Sequence, residues 1–383
     1  MNKTIKLFLA LAIGAFAVFT NGCKPKEDVE APSSRTLEAD TLPHWMSLLP
    51  DDTPLFNLTI PCLHDAGTYY FNGDNKLALS IKDQVYDYKD AWNWGARAFD
   101  LRIAYDYDWD GFAECCRFFH GDNETAIFFD YGPMNLIYDD VDNHFPAPSA
   151  LDGECMILIV KKEYMEDESY TINVFEYLMA KLINKYGKDR FIAYHDNMTL
   201  GEARGKIIVI VRNEEYTHNY QKEVGGCTTP LVPINYATRF MDSKDDIITT
   251  ITTESDLHVY VDAQKVATYK YHSQDIYDLK DFSYKKKYDA FCMLAGGNPM
   301  GHISFNGMNA VEWEDVIVAE LPEGWDCCHR MNEWVSQAFE KHEIYGGGII
   351  LCDMYGATTC GSSIGTFHGD RLARAMIRHN FTK

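Results

Sequence analysis

Positive charge is scarce in this sequence. Its 383 residues carry 35 Lys and Arg against 57 Asp and Glu, a formal net charge of −22. Binding to nucleic acid draws on clustered Lys and Arg, so nucleic acid is not an expected partner. Strong electrostatic adsorption to an anionic membrane is disfavoured for the same reason. The 11 cysteines contain no paired Cys-x-x-Cys spacing, so a structural zinc site is not expected either. No Ser or Cys stands on a recognisable nucleophile turn. The chain has no internal repeat, and beyond its N-terminus no run is apolar enough to span a bilayer.

The N-terminus is different. Lys3 and Lys6 precede an apolar run from Leu7 to Phe19, and Gly22-Cys23 follows. At about 13 residues the run is short of the roughly 20 that a spanning helix needs. Residues 1–22 are therefore read as a signal peptide and kept out of the fold. The segment resembles a bacterial lipoprotein signal, which implies lipidation at Cys23. The tract Pro25 to Val29 resembles the Lys-plus-acidic signal that sends some bacterial lipoproteins to the outer cell surface. The expectation is an exported lipoprotein of the outer membrane, held by its N-terminal anchor, with this tract pointing to the cell surface. Residues 23–42 are polar and read as a flexible tether, and residues 43–383 as a single catalytic domain. In an exported chain the adjacent pairs Cys115-Cys116 and Cys327-Cys328, set among polar residues, are disulfide candidates. Cys155, Cys292 and Cys352 lie in apolar runs and are expected to be buried thiols.

Short apolar runs recur at Leu58 to Ile60, Ala98 to Ile103, Arg117 to Phe119, Met156 to Val160, Ile207 to Val211, Leu257 to Val261, Phe291 to Leu294 and Gly348 to Cys352. They are nearly continuous rather than alternating, which suits strands of a parallel sheet buried on both faces. Amphipathic helix patterns cover Phe175 to Tyr186, ending at Gly187, and roughly Asp83 to Trp94, Met331 to His342 and Arg371 to His379. The segment Gly121 to Gly153 has little helical period, so one outer helix is expected to be missing. The fold class read from this is α/β, an irregular TIM-type (β/α)8 barrel.

Chemistry-bearing residues follow these runs. His64 and Asp65 come after the first, Asp100 and Arg102 lie in the second, and His120 comes after the third. Lys161, Arg212, Asp262 and Asp353 end later ones. In a TIM-type barrel the C-terminal strand ends converge on the active site. A cleft holding Arg102, Arg212 and Lys161 expects an anion, and phosphate is the common one that Arg binds with two parallel hydrogen bonds. Two His beside carboxylates suit a general base and a general acid. With no nucleophilic side chain in view, the pattern points to phosphodiester cleavage by a hydroxyl of the substrate itself.

Several blocks resemble bacterial phosphatidylinositol-specific phospholipase C. They are WMSLLPDDTPLFNLTIPCLHDAGT (Trp45 to Thr68), GARAFDLRI (Gly95 to Ile103), FHG (Phe119 to Gly121), LIVKKEY (Leu158 to Tyr164), LGEARGKIIVIVR (Leu200 to Arg212) and IILCDMY (Ile349 to Tyr355). The resemblance implies a phosphatidylinositol or glycosylphosphatidylinositol substrate, cleaved to diacylglycerol and inositol cyclic phosphate. It implies His64 as general base oriented by Asp353, and His120 as general acid backed by Asp65. Arg102 would stabilise the phosphate charge, and Asp100 would hold Arg102 or a His. Lys161, Arg212 and Asp262 would bind inositol hydroxyls. Some calcium-dependent relatives carry a carboxylate in place of Arg102, so retention of the Arg implies catalysis with no metal and no cofactor. Gln264 falls where bacterial members have a Tyr stacked under the inositol ring, which leaves open a phosphodiesterase acting on another (glyco)phospholipid head group. An inactive surface-anchored binding protein on the same barrel is the reading from another class. The acidic, aromatic stretch Tyr105 to Arg117, with Trp109 and Phe112, is either a lipid-touching insertion or a surface loop.

Overall fold

The computed structural model describes residues 39–71, 82–105, 116–120, 133–163, 168–195, 197–211, 323–344, 348–358 and 366–382, with short pieces at 223–224, 227–228, 235–236, 272–274, 288, 291–292 and 304–308. Twelve strands are described. They are β1 Thr59–Leu63, β2 Ala98–Tyr105, β3 Cys116–Phe119, β4 Pro133–Leu136, β5 Cys155–Lys162, β6 Lys206–Val211, β7 Glu223–Val224, β8 Cys227–Thr228, β9 Asn235–Tyr236, β10 His272–Gln274, β11 Ser304–Gly307 and β12 Gly348–Cys352. The helices that matter below are α1 Tyr88–Asn93, α2 Glu168–Tyr186, α3 Glu323–Glu340 and α4 Gly369–His379.

The main sheet runs β10-β11-β12-β1-β2-β5-β6-β9, and every neighbouring pair along that path is parallel. Together with α2 and α3 between strands and α4 after the last, this is the irregular barrel architecture expected from the sequence. Every residue of β1 and of β12 is buried, the signature of strands covered on both faces.

Side-chain alternation divides the core in two. Met156, Leu158 and Val160 of β5 belong to one apolar cluster with Phe175, Leu178 and Leu182 of α2. Cys155, Ile157 and Ile159, on the opposite face of the strand, belong to another with Ile60 and Cys62 of β1, Ala98 of β2, Ile208 and Ile210 of β6, and Ile349 and Leu351 of β12. That second cluster is the barrel interior. It closes at the N-terminal strand ends on Trp45, Met46 and Leu55. The C-terminal helix is fastened to the barrel by Asn380, whose Nδ2 donates to the Thr59 carbonyl at 2.9 Å while its Oδ1 accepts from the Thr59 N–H at 2.7 Å. Gly95 ends the α1 turn at φ +94°, and a Cβ there would lie 2.2 Å from Ile377 Cδ1 on α4. The positive φ requires glycine, and a Cβ would in addition displace the end of the Ile377 side chain.

Several expectations are corrected. The run at Arg117 to Phe119 is a strand, but β3 lies antiparallel to the end of β2 and pairs with β4, so it forms an excursion and not a barrel stave. Phe291 and Cys292 are helical, and the stave in that part of the chain is β11, whose short Ser-Phe-Asn-Gly sequence carries little apolar signal. The helix expected from Asp83 is confined to α1, because Asp87 is extended and caps it by accepting from the Asp90 N–H. Cys116 and Cys328 are buried thiols in apolar surroundings, so the disulfides expected there are not made at those residues. Cys155 and Cys352 are buried thiols as expected, whereas Cys292 is only partly buried. No helix among the described residues is long and apolar enough to cross a membrane. Residues 1–22, Cys23, Trp109, Phe112, Arg212, the run Leu257 to Val261, Asp262 and Gln264 lie outside the described residues.

Candidate active site

The interior stripe of each strand continues past its apolar part into polar side chains. After Ile60 and Cys62 the same face of β1 carries His64. After Ala98, β2 carries Asp100 and Arg102, after Ile159 β5 carries Lys161, and after Leu351 comes Asp353. Register brings them together. Leu63 pairs with both Cys352 and Phe99, and Arg102 pairs with Lys161. The charged groups therefore gather at the C-terminal mouth of the barrel.

The turn after β1 is built by its own sequence. Asp65 adopts a left-handed conformation (φ +42°), which a short polar side chain tolerates. Thr68 closes the turn, donating its N–H (3.0 Å) and its hydroxyl (2.8 Å) to the Asp65 carbonyl. The same hydroxyl accepts from the Asp83 N–H at 3.0 Å. Gln84 stitches the two strand ends, its Nε2 donating to the His64 and Cys352 carbonyls, both at 2.7 Å. On the far side, Asn332 of α3 donates to the Asp353 carbonyl at 3.2 Å.

His64 Nδ1 lies 2.8 Å from Asp353 Oδ1, and its Nε2 lies 2.6 Å from Arg102 Nη2. A guanidinium only donates, so Nε2 presents its lone pair to Arg102 and the ring proton sits on Nδ1, facing Asp353. Burial works against a charged ring and Arg102 does likewise, but the carboxylates of Asp353 and Asp83 prevail and the pKa of His64 is pushed up to about 9. The ring is thus strongly basic, while its hydrogen bonds are those of the neutral form.

Arg102 is surrounded by acids. Its Nε lies 3.2 Å from Asp100 Oδ2, and its Nη1 lies 3.1 Å from Asp65 Oδ2 and 3.4 Å from Glu163 Oε1. His120 Nε2 lies 3.2 Å from Asp65 Oδ2. Burial, then the neighbouring Arg102, His64 and Lys161, hold the His120 ring well below its ordinary pKa. Burial pushes Asp65 the other way, up to about 7, despite Arg102. A proton in this pair is therefore shared between an unusually weak acid and an unusually weak base. Lys161 Nζ reaches Glu163 Oε1 at 3.0 Å at the rim of the cleft.

The structure thus brings His64, Asp65, Asp100, Arg102, His120, Asp353 and Lys161 to one mouth. Sequence reasoning passed over Asp83, Gln84 and Glu163. Glu163 sits one residue past the end of β5, in the same Lys-Lys-Glu run as Lys161, and that position was its signal. Asp83 gave none, lying in a stretch whose spacing reads as helix. Two trios, His64 with Asp83 and Asp353, and Asp65 with Asp83 and His120, have ligand-type atoms within 4.8 Å of one another. The Arg102 guanidinium lies against His64 and Asp65, one residue of each trio, and already supplies a positive charge there.

No family model matches the chain. Over 171 residues it is 26% identical to a 1-phosphatidylinositol phosphodiesterase of Staphylococcus aureus strain Newman, covering 44% of this chain and 50% of that protein. A second protein of the same name, from strain NCTC 8325 / PS 47, is also 26% identical over 171 residues. The aligned stretch spans about half the length of these curated relatives. Among solved structures, a phosphatidylinositol-specific phospholipase C from S. aureus studied for its membrane binding superposes with a TM-score of 0.57 at 18% identity, over 88% of this chain and 98% of the other. A pentafluoro-Phe variant of the S. aureus enzyme gives 0.55 at 17%, with the same coverage. At these identities the superpositions establish the fold. Together with the sequence matches they bear out the resemblance to bacterial phosphatidylinositol-specific phospholipase C.

Proposed function

We propose that this chain is a phosphodiesterase of the phosphatidylinositol-specific phospholipase C type, releasing diacylglycerol and inositol cyclic phosphate from phosphatidylinositol. One observation carries the reading: two His–Asp pairs, His64–Asp353 and His120–Asp65, flank a single arginine at the C-terminal mouth of a parallel barrel. This is a base, an acid and an anion binder within one cleft.

The reaction follows from the tautomers. His64 Nε2 takes the proton of the inositol 2-hydroxyl, and that oxygen attacks the phosphorus. The bond from phosphorus to the diacylglycerol oxygen breaks, and His120 gives a proton to that leaving oxygen. Asp353 stabilises the imidazolium that forms on His64. Once Nε2 carries a proton it no longer accepts from Arg102, so the guanidinium edge turns to the phosphate oxygens as their charge grows. The approaching phosphate anion also raises the pKa of His120 and favours its acid form. Asp100 holds the Nε edge of Arg102. Lys161 is positioned for the head group, with Arg212, Asp262 and Gln264 as its further binders from the sequence. Arg102 supplies the positive charge, so the reaction is read as metal-independent.

The test is to incubate the mature protein with labelled phospholipids that differ in head group. Inositol cyclic phosphate from phosphatidylinositol is expected. Release from another head group alone, or no release at all, would overturn the reading. The Lys3-Lys6, Leu7 to Phe19 and Gly22-Cys23 pattern supports a lipid anchor at Cys23 that holds an exported, surface-facing barrel on its tether. Metabolic labelling with a fatty acid should mark the wild type and not Cys23→Ser, and equal labelling of both would remove the anchor.

A further inference from the structure

Beside the two His–Asp pairs stands a third carboxylate that neither pair needs. Asp83 Oδ2 lies 3.5 Å from His64 Nδ1 and 3.7 Å from His120 Nε2. These are ion-pair distances and not hydrogen bonds. The Nδ1 proton of His64 already faces Asp353 at 2.8 Å, and the closer carboxylate to His120 is Asp65 at 3.2 Å. Asp83 is nonetheless held in place from both sides. Its N–H donates to the Thr68 hydroxyl at 3.0 Å, and its carbonyl accepts from the Met354 N–H at 2.7 Å. Met354 follows Asp353 in a left-handed conformation (φ +50°), so the turn that ends β12 is the one that grips Asp83. A backbone fixed to both catalytic turns, with a carboxylate placed almost equally between two imidazoles, has a chemical use.

We propose that Asp83 is a positioning residue for the acid–base reaction above, a common counter-ion that faces whichever of His64 and His120 carries the extra proton. The proposal rests on that reading of the two rings. In the substrate-bound state of that reaction, with the phosphate raising the pKa of His120, the cation is His120 before cleavage and His64 afterwards. A carboxylate roughly equidistant from both rings balances the charge in either state without moving, so no reorganisation is required as the proton moves through the substrate. Of the two rings, Asp353 bonds to His64 at 2.8 Å and Asp65 pairs with His120 at 3.2 Å, whereas Asp83 reaches both.

The surrounding charges fit this role. Asp83 feels Asp353 at the end of β12, Asp65 after β1, Arg102 on β2 and the ring of His64. The His120 ring feels Arg102, His64 and Lys161 on β5, and Glu163 and Asp100 act on its partner Asp65. Burial, then Asp353, holds the Asp83 carboxyl well above the ordinary range. The charge of His64 acts the other way, so a protonated imidazole beside Asp83 draws the carboxyl into its ionised, counter-ion form.

The test follows the ring titrations of His64 and His120 by NMR in the whole protein, as wild type and as Asp83→Asn, together with the pH profile of kcat/KM on phosphatidylinositol. Losing a nearby carboxylate destabilises the charged form of each ring, so both pKa values should fall, each by roughly one unit. Both limbs of the profile should move to lower pH together. Asp353→Asn should move mainly the His64 titration, and Asp65→Asn mainly that of His120. A shift of one ring alone in Asp83→Asn would assign the carboxylate to a single pair and overturn the proposal. So would lowered activity with neither ring shifted, the sign of a structural role. If Asp83→Asn does not fold, Asp83→Ser carries the same measurement. The ring titrations need no substrate. A wild type inactive on phosphatidylinositol would therefore sink the functional reading, while the two ring shifts would still decide whether Asp83 faces both imidazoles.

Discussion

Strand β2 carries an arginine at each end, and the two do different work. Arg97 precedes the strand at the closed end of the barrel, and Arg102 lies near its other end, at the open mouth. Each faces a glutamate flanking β5, Glu154 before it and Glu163 after it. Arg97 Nε meets Glu154 at 2.8 Å with both side chains fully buried. Its other nitrogens donate to backbone carbonyls, those of Trp92 (3.1 Å), Ala96 (2.7 Å) and Pro43 (2.6 Å) among them, and the guanidinium lies 3.9 Å over the Trp92 ring. Glu154 in turn accepts from the Ser47 N–H at 2.8 Å. Arg102 instead meets a ring of titratable side chains, those of Asp65, Asp100, Glu163 and His64. Carbonyls neither take up protons nor give way to a ligand, so Arg97 is a fixture. Carboxylates and an imidazole do both, so Arg102 is able to exchange partners, as the proposed reaction requires of it when a phosphate binds.

The largest expected effect breaks the closed end. Arg97→Ala leaves Glu154 buried without its counter-charge, a loss of roughly 3–5 kcal/mol of stability. Urea unfolding followed by fluorescence checks it. A change under about 1 kcal/mol, the ordinary worth of an exposed pair, would show that the two arginines do not differ in this way. Arg102→Ala should cost less stability, because the carboxylates it leaves behind take up protons, as Asp65 already tends to with its pKa at about 7. It should instead cost activity, roughly 10²–10³-fold in kcat, the usual effect of losing one charge-stabilising donor. His64→Ala should lower kcat by at least about 10²-fold with the fold retained. Near-normal phosphatidylinositol cleavage by either variant would detach the open end from the chemistry.

The same contrast governs how much was legible in the sequence. The staves β1, β2, β5, β6 and β12 were readable because burial on both faces makes them continuous apolar runs, and the residues that follow those runs led to His64, Arg102, Lys161 and Asp353. Helices α2, α3 and α4 were readable from their period, although α3 begins at Glu323, ahead of its clearest apolar spacing. What failed was local pattern overridden by tertiary placement. Nothing in Cys-Arg-Phe-Phe says whether β3 is a stave or an antiparallel excursion from β2. Nothing in Ser-Phe-Asn-Gly marks β11 as a stave. Asp83 and Gln84 were hidden because their work is done by an irregular segment that threads between two strand ends, and irregular segments have no period. The closed-end pair was invisible for another reason: Arg97 and Glu154 are 57 residues apart, and only the parallel register of β2 on β5 brings them together.

A smaller effect sharpens the open end. The pKa of His64 is pushed up from 6.5 to about 9, with Asp353 the leading cause opposing burial. A raised value means that the folded state holds the proton more tightly than the unfolded chain does. Its contribution to stability is fully present below about pH 6.5 and is lost as pH rises through about 9. In the proposed reaction the active enzyme has His64 unprotonated and His120 protonated. With His64 the higher of the two pKa values and His120 the lower, the falling limb of kcat/KM follows His64, and Asp353→Asn should move that limb to lower pH while reducing kcat. A limb that stays in place in Asp353→Asn would show that His64 does not set it.

The smallest expected effect is none, and it bears on what Arg102 replaces. Asp65, Asp83, Asp353 and the two imidazoles would, without the arginine, offer a divalent cation two three-ligand arrangements. With Arg102 Nη1 at 3.1 Å from Asp65 and Nη2 at 2.6 Å from His64 Nε2, an ion bound there would meet a fixed positive charge at close range. The same nitrogens can balance a phosphate directly, and an arginine, unlike an exchangeable ion, is not removed by chelation. EDTA should therefore leave the initial rate on phosphatidylinositol unchanged, and added calcium should not raise it. The informative companion is Arg102→Asp, which puts a carboxylate where the guanidinium was. If the arginine and a cation are alternative solutions to one electrostatic need, this variant should be inactive in EDTA and should recover some activity with calcium, while the wild type responds to neither. A wild type that loses activity in EDTA and regains it with calcium would mean that the acids at the open mouth serve an ion and not Arg102, and the contrast with Arg97 would have to be drawn again.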